Sequence, residues 1–149
     1  MPAGSLRFAQ LLFVSGAGMF CLLGVTHVVL TMRDLHDPRS LTPTDDAVRQ
    51  TMIAARLRLA PVTTIWRAWV GFNFSHSVGL LVFGGILGGL ALYDFRFVAN
   101  NIALQVTAVI VATTYAVLAT LFWFAVPAAA TAFGALAFLA SAIVIGINR

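Results

Sequence analysis

The feature that most constrains this chain is a long apolar stretch, residues 65–92, which contains no acidic residue and one arginine. As a helix rising about 1.5 Å per residue it would measure roughly 42 Å, more than the ~30 Å hydrocarbon core of a bilayer. It opens with aromatic and basic residues, continues with the polar residues Asn73, Ser75, His76 and Ser77, and ends in a glycine-rich run. We therefore predict a membrane-crossing helix whose polar side chains need partners in the protein or in water, because lipid offers none.

The composition supports membrane integration of the whole chain. Hydrophobic residues make up 60% of it and charged residues 9%, against about 25% charged residues in an average soluble domain. A soluble fold this apolar would expose large apolar patches. Four spans are predicted, at about residues 8–31, 65–92, 102–124 and 128–147. We therefore expect an all-α fold, an integral membrane four-helix bundle in which residues 1–149 form a single membrane domain.

The charged residues indicate where the protein is located and argue against nucleic acid as a partner. The nine cations are all arginine and the five anions all aspartate, a usage typical of a GC-rich genome, so we expect a bacterial inner-membrane protein. The net charge of +4 is spread over the loops rather than gathered in a basic block. Nucleic acid is therefore not expected as a partner, whereas membrane lipids are.

The segment between the first two spans is the only substantial polar one. Thr44 is a candidate N-cap, and Asp45 and Asp46 suit the first turn of a helix. Apolar residues then recur every three or four positions as far as Leu59. The pattern predicts a short amphipathic helix over about residues 44–60, lying on the membrane surface or against the end of the bundle.

Small residues recur at four-residue spacing along the second span, and two interpretations follow. They form tracks that let helix backbones approach closely in lipid. One interpretation is packing against spans one and four of the same chain; the other is a homodimer. The tracks are Gly71–Ser75–Gly79, Gly84–Gly88 and Gly85–Gly89.

Two histidines are the best candidates for a functional site. His27 lies six residues before Arg33, and His76 lies seven residues after Trp69. The helical rise then puts both imidazoles roughly 9–10 Å below the same interface. Asn73 is about one turn before His76 and shares its face. Placing an ionisable side chain at such depth in the membrane costs free energy, so these residues are candidates for a function.

The chemistry of this pair stays open between three roles. In the first role, two neutral imidazoles bind a metal ion or a haem iron. In the second, one imidazole transfers a proton to a quinone or another lipophilic substrate. In the third, both imidazoles are structural groups that form hydrogen bonds between helices. Haem and quinone are the cofactors considered. The spacing is not a metal-binding signature, and no dedicated metal site is predicted. The predicted ligand-binding residues are His27, Trp66, Arg67, Trp69, Asn73, Ser75 and His76.

Arg67 lies between two tryptophans and also has two interpretations. It is expected to anchor the helix at the headgroup level, or to stack on tryptophan and bind an anionic headgroup. No nucleophile triad, phosphate-binding loop, CxxC motif or zinc pattern is present in the sequence. Whether the protein is an enzyme is therefore left undecided by its motifs.

One segment carries a family resemblance. Residues 66–79, W-R-A-W-V-G-F-N-F-S-H-S-V-G, resemble a set of small uncharacterised bacterial four-span membrane proteins, which also have a histidine near the end of the first span, as His27 is here. The size and span count are more loosely similar to DoxX-like membrane proteins, some of which are linked to quinone-associated or redox complexes. The resemblance implies that Trp66, Gly71, Asn73, His76 and His27 act as a unit.

The sequence thus leads to two functional hypotheses. The first is a small integral-membrane subunit or accessory protein, whose intramembrane polar cluster organises contacts to helices, lipid or a lipophilic cofactor within a larger membrane complex or a homodimer. The alternative is a small membrane oxidoreductase or binding protein that uses His27 and His76 on a quinone-like, lipid or haem ligand.

Overall fold

The computed structural model describes residues 2–149, and they form six helices. These are α1 (Ala3–His36), α2 (Asp46–Ala54), α3 (Ile65–Tyr93), α4 (Phe95–Asn100), α5 (Ile102–Phe122) and α6 (Ala125–Ile147). Helices α1, α3, α5 and α6 are long and apolar enough to cross a membrane. The predicted all-α fold with four spans is confirmed, and the chain is a small integral membrane protein.

The described chain divides into two compact units, and α1 and α3 each contribute to both. Unit 1 comprises the residues up to Leu23 together with Leu80–Arg149, and unit 2 comprises Gly24–Gly79. Unit 1 therefore holds the first part of α1, the second part of α3, and all of α4, α5 and α6. Unit 2 holds the second part of α1, the connecting segment with α2, and the first part of α3.

Close approaches between small residues hold the helices of unit 1 together. A Cβ atom on Gly84 would lie 2.6 Å from the carbonyl oxygen of Ala17 and 2.9 Å from the backbone nitrogen of Cys21. A Cβ atom on Gly16 would lie 3.1 Å from the carbonyl oxygen of Gly134. Helix α1 thus approaches α3 at Gly84 and α6 at Gly134 through small residues, as they permit in lipid, and the Phe138 ring also lies against Gly16.

The two glycine tracks of α3 therefore have different surroundings. Gly84 and Gly88 face Ala17 of the same chain, which agrees with intramolecular packing. Gly85 and Gly89 have no heavy atom within 4 Å of an added Cβ, so this face of α3 is open within the chain.

Aromatic rings fill the rest of the core of unit 1. The rings of Phe13 and Phe138 make an edge contact with centroids 4.8 Å apart, and those of Phe20 and Phe83 do so at 4.9 Å. Tyr115 of α5 approaches Phe20 at 5.7 Å. Such edge-to-face pairs contribute about 0.5–1.5 kcal/mol beyond the area they bury.

Helix α4 lies between the second and third spans, where no helix was predicted. Asp94 caps it by accepting a hydrogen bond from the backbone N–H of Phe97. Phe95 and Val98 are buried, and this burial favours a helix in so short a segment. The amide of Gln105 donates to two carbonyl groups at the end of α4 and ties it to α5.

In unit 2, α2 is shorter than the predicted helix over residues 44–60. Its N-cap is Asp45, which accepts from the backbone N–H of Ala47, and not Thr44. It ends because Ala55 adopts an extended conformation, after which an isolated bridge joins Arg56 to Thr64. None of the residues in α2 is buried, as expected for a surface helix.

Candidate functional site

Asn73 is the centre of a hydrogen-bonded group in unit 2. Its side chain is 1% exposed. The amide Nδ2 donates to the carbonyl oxygen of Trp69 at 2.8 Å, and Oδ1 accepts from Nε2 of His27 at 2.9 Å. The hydroxyl of Ser77, one turn later, donates to the main-chain carbonyl of Asn73. Asn73 therefore joins the α1 part of unit 2 to its α3 part, and both ends of its amide have partners.

These contacts fix which nitrogen of His27 carries a proton. The carbonyl of Trp69 only accepts, so the Nδ2 end of Asn73 must face it, and the Oδ1 end faces His27. An amide oxygen only accepts. Nε2 of His27 is therefore the donor, and in the neutral imidazole Nδ1 is the acceptor nitrogen.

The two histidines lie side by side, as their equal depth predicts. The ring centroids of His27 and His76 are 5.1 Å apart and the rings are tilted by 69°. His76 also stacks on Phe72, with centroids 5.9 Å apart. Both histidines are half-buried. The proximity of the imidazoles is thus observed, whereas their role in binding stays a prediction.

Trp69 extends the group to the segment that follows α1. Its indole Nε1 donates to the carbonyl oxygen of Leu41 at 2.8 Å. This tryptophan was predicted from its position to act in ligand binding near the membrane surface. In the structure its only polar atom binds a loop carbonyl of the same unit, and its role in ligand binding stays a prediction.

Asp34 completes the group, and the sequence reasoning missed it. Helix α1 continues five residues beyond the predicted end of the span, so Asp34 lies in its last turns. Its side chain is 6% exposed. The carboxylate accepts from the backbone N–H groups of Arg39, Ser40 and Leu41 at 3.1, 3.0 and 2.5 Å. Leu41 thereby links the carboxylate to the indole of Trp69, since its N–H binds one and its carbonyl binds the other.

A sequence signal for Asp34 exists. A carboxylate near the C-terminus of a helix opposes the helix dipole, and a buried charge is retained only where hydrogen bonds satisfy it. An aspartate in the final turns, followed by Pro38 and a serine, indicates a carboxylate that accepts from the N–H groups of a following turn. We call His27, Asp34, Leu41, Trp69 and Asn73 the polar network.

A small cavity adjoins the polar network. Its volume is about 10 Å³, room for about one water molecule. Trp66, Trp69 and Asn73 line it together with Thr31 and Asp34. The network and the cavity are thus parts of one site in unit 2. Trp66 belongs to this site because it lines the cavity.

Two of the predicted site residues lie elsewhere on α3. Ser75 is exposed, and its hydroxyl donates to the carbonyl of Phe72 in its own helix. Arg67 is exposed as well, and its backbone N–H donates to the hydroxyl of Thr64. The structure brings together His27, Trp66, Trp69, Asn73 and His76, but not these two.

Comparisons with known proteins assign the chain to no family. No family model matches the chain, and neither a curated protein nor a solved structure matches it. The resemblance to four-span bacterial proteins and to DoxX-like proteins therefore stays a prediction. Among residues 2–149, no group of three or more histidine, cysteine or acidic side chains is arranged to hold a metal ion.

Proposed function

We propose that this protein is a small integral-membrane subunit or accessory protein, and that the polar network gives unit 2 the shape in which it meets a partner. The observation that carries the proposal is the completeness of the hydrogen bonding. Asn73 uses both ends of its amide, Trp69 its indole N–H, and Asp34 both carboxylate oxygens, all on groups of the same unit. A ligand would have to compete with each of these bonds.

The size of the adjoining cavity favours the same conclusion. Pockets for small molecules and cofactors usually measure about 300–1,000 Å³. The cavity beside the polar network holds about 10 Å³. A haem or a quinone headgroup does not fit there without separation of the surrounding helices, so a structural role of the network is the simpler account.

The connecting segment between α1 and α3, which contains Leu41 of the polar network, carries an apolar surface suited to a partner. Asp34 and Trp69 both bind the backbone around Leu41, which precedes α2. After α2, Leu59 is 98% exposed and Val62 is 85% exposed. Two large apolar side chains this exposed, in a segment with arginines on either side, suit contact with another membrane protein.

The test uses the full chain purified from cross-linked membranes in a mild detergent. We expect a second membrane protein in fixed stoichiometry with the wild type, and loss of most of it with a Leu59→Ser, Val62→Ser double variant. Val126→Ser, at the start of α6 and 68% exposed, is the matched control and should retain the partner. A wild-type protein that runs alone and homogeneous contradicts the proposal.

The second candidate function is a membrane binding protein or oxidoreductase that uses the histidine pair. The contact of two imidazoles within apolar helices, 5.1 Å between centroids, favours it, because such groups are rare in spans.

An absorbance spectrum of detergent-purified protein tests haem through its Soret band. Mass spectrometry of extracted lipids tests a quinone-like or lipid ligand. A ligand that is present in the wild type and lost in His76→Ala, but kept in His36→Ala, would favour this function over the first.

A further inference from the structure

A second, larger cavity lies in unit 1, where the start of α1, helix α4 and the end of α6 come together. Its volume is about 350 Å³, within the usual range of ligand pockets. We call it the arginine pocket. The residues that line it are Leu6, Arg96, Ala99, Asn100, Ile145 and Arg149.

The polar groups of the arginine pocket suit an anion. Arg96 and Arg149 supply two guanidinium groups and Asn100 an amide, and no acidic side chain is among the lining residues. Nη2 of Arg149 donates to the carbonyl of Ala99, which holds that guanidinium at the wall. Asp94 is not among the lining residues, and its carboxylate accepts from the backbone N–H of Phe97 as the cap of α4.

Neither arginine is neutralised by a carboxylate side chain within residues 2–149. The two side-chain ion pairs of that part of the chain are Arg39–Asp37 and Arg49–Asp46, both in unit 2. Arginine presents its donors in a planar fork that matches the oxygens of a phosphate group. The pocket thus combines two such forks with space for the group they recognise.

The surroundings of the pocket match the headgroup region of a membrane. Helix α4 lies between the ends of two membrane-spanning helices, α3 and α5. Beside Arg96, Tyr93 is 93% exposed and Phe97 is 50% exposed. Exposed aromatic side chains at span ends are typical of the membrane–water interface. Leu6 and Ile145 add an apolar wall, which suits the glycerol and first methylenes of a lipid.

We propose that the arginine pocket binds the phosphate group of an anionic phospholipid, with Arg96 and Arg149 as its cationic contacts. Basic pockets between membrane helices bind such headgroups in general. The arginine pocket shares no residue with the polar network. The lipid-binding proposal therefore does not depend on the partner proposed for unit 2.

The test measures lipid retained by the full chain in native mass spectrometry after mixing with phosphatidylglycerol or phosphatidylcholine. We expect preferential retention of phosphatidylglycerol by the wild type. Each of Arg96→Gln and Arg149→Gln should weaken it about fivefold, as one basic contact at an anionic surface does. Arg96→Lys keeps the charge but loses the planar fork, so its binding should lie between that of Arg96→Gln and that of the wild type. The matched control is Arg58→Gln, an exposed arginine of unit 2, which should change it less than about twofold.

Two results would overturn the proposal. Equal retention of the two lipids by the wild type, or equal loss in Arg58→Gln and Arg96→Gln, would show that the pocket does not select an anionic headgroup. A competition arm adds inorganic phosphate in excess over lipid. Phosphatidylglycerol should stay bound, and its complete displacement would mean that the site recognises free phosphate and not a lipid. Circular dichroism of each variant confirms that its helices are intact.

Discussion

The two units of this protein bury different kinds of side chain. All sixteen buried hydrophobic residues of the described chain belong to unit 1. In unit 2, the buried residues are Gly24 and four polar ones, Thr31, Asp34, Asn73 and Ser77. Unit 1 thus has a mainly apolar core, with Gln105, Thr131 and Ser141 as its buried polar residues, whereas every buried side chain of unit 2 is polar.

The difference shows two ways of holding helices together in lipid. Because lipid tails are as apolar as leucine, burial alone does not drive spans together. Unit 1 uses close backbone approaches, such as Gly84 against Ala17, and interlocking aromatic rings. Unit 2 uses polar groups that satisfy each other. Added volume should therefore damage unit 1 most, and loss of a hydrogen-bond acceptor should damage unit 2 most.

The largest effect is expected from added volume in unit 1. In Gly84→Ala the new methyl group would meet the backbone of Ala17 and Cys21 at 2.6 and 2.9 Å, and backbone atoms move less readily than side chains. We expect a loss of about 3 kcal/mol in the free energy of unfolding, at the upper end for overpacked sites. Chemical unfolding in detergent micelles, followed by circular dichroism, measures it.

The neighbouring glycine provides the control for that variant. Gly85→Ala adds the same methyl group to the same helix, but on a face with no heavy atom within 4 Å. It should be neutral or slightly stabilising, since alanine favours the helix. If both variants lose the same stability, close packing is not what distinguishes unit 1.

The next effect is expected from the buried carboxylate of unit 2. Asp34→Asn preserves the size of the side chain but replaces one acceptor oxygen with a donor that faces backbone N–H groups. We expect a loss of about 2 kcal/mol in unfolding free energy, as for a hydrogen bond to a charged group. Asp37→Asn is the control, because its ion pair with Arg39 is exposed and such pairs contribute little. If Asp34→Asn and Asp37→Asn lowered the unfolding free energy equally, the hydrogen bonds of the Asp34 carboxylate would not stabilise unit 2.

The smallest effect is expected from the histidine pair. His76→Ala removes a ring that contacts both His27 and Phe72, which should cost about 1 kcal/mol, as for aromatic pairs. His36→Ala removes an exposed histidine at the end of α1 and should have almost no effect. Thermal unfolding in the same detergent compares them. Equal tolerance of the two substitutions would show that the ring contacts of His76 contribute nothing.

Much of the fold could be predicted from the sequence because hydropathy reports helix length directly. The four spans and the depth of His27 and His76 follow from residue counts along helices. Helix α4 could not be predicted in this way, because its stability comes from the burial of Phe95 and Val98 and from Gln105 of another helix.

The candidate site was predictable only in part, for a similar reason. Asn73 and His27 are polar residues in apolar runs, so they stand out in the sequence. Leu41 enters through its backbone groups, which no side-chain pattern reveals. Asp34 fell in the polar segment between the first two spans, because the first span was predicted to end at residue 31, whereas α1 continues to His36.

The measurement that tests the central claim most directly is a double-mutant cycle between His27 and Asn73, with unfolding free energies of His27→Phe, Asn73→Leu and the double variant. A hydrogen bond between them, 2.9 Å from Nε2 to Oδ1, predicts a favourable coupling of about 0.6 kcal/mol or more, the usual size for bonds between membrane helices. Strictly additive losses, with no coupling between the two sites, would contradict the claim that polar groups satisfying one another hold unit 2 together.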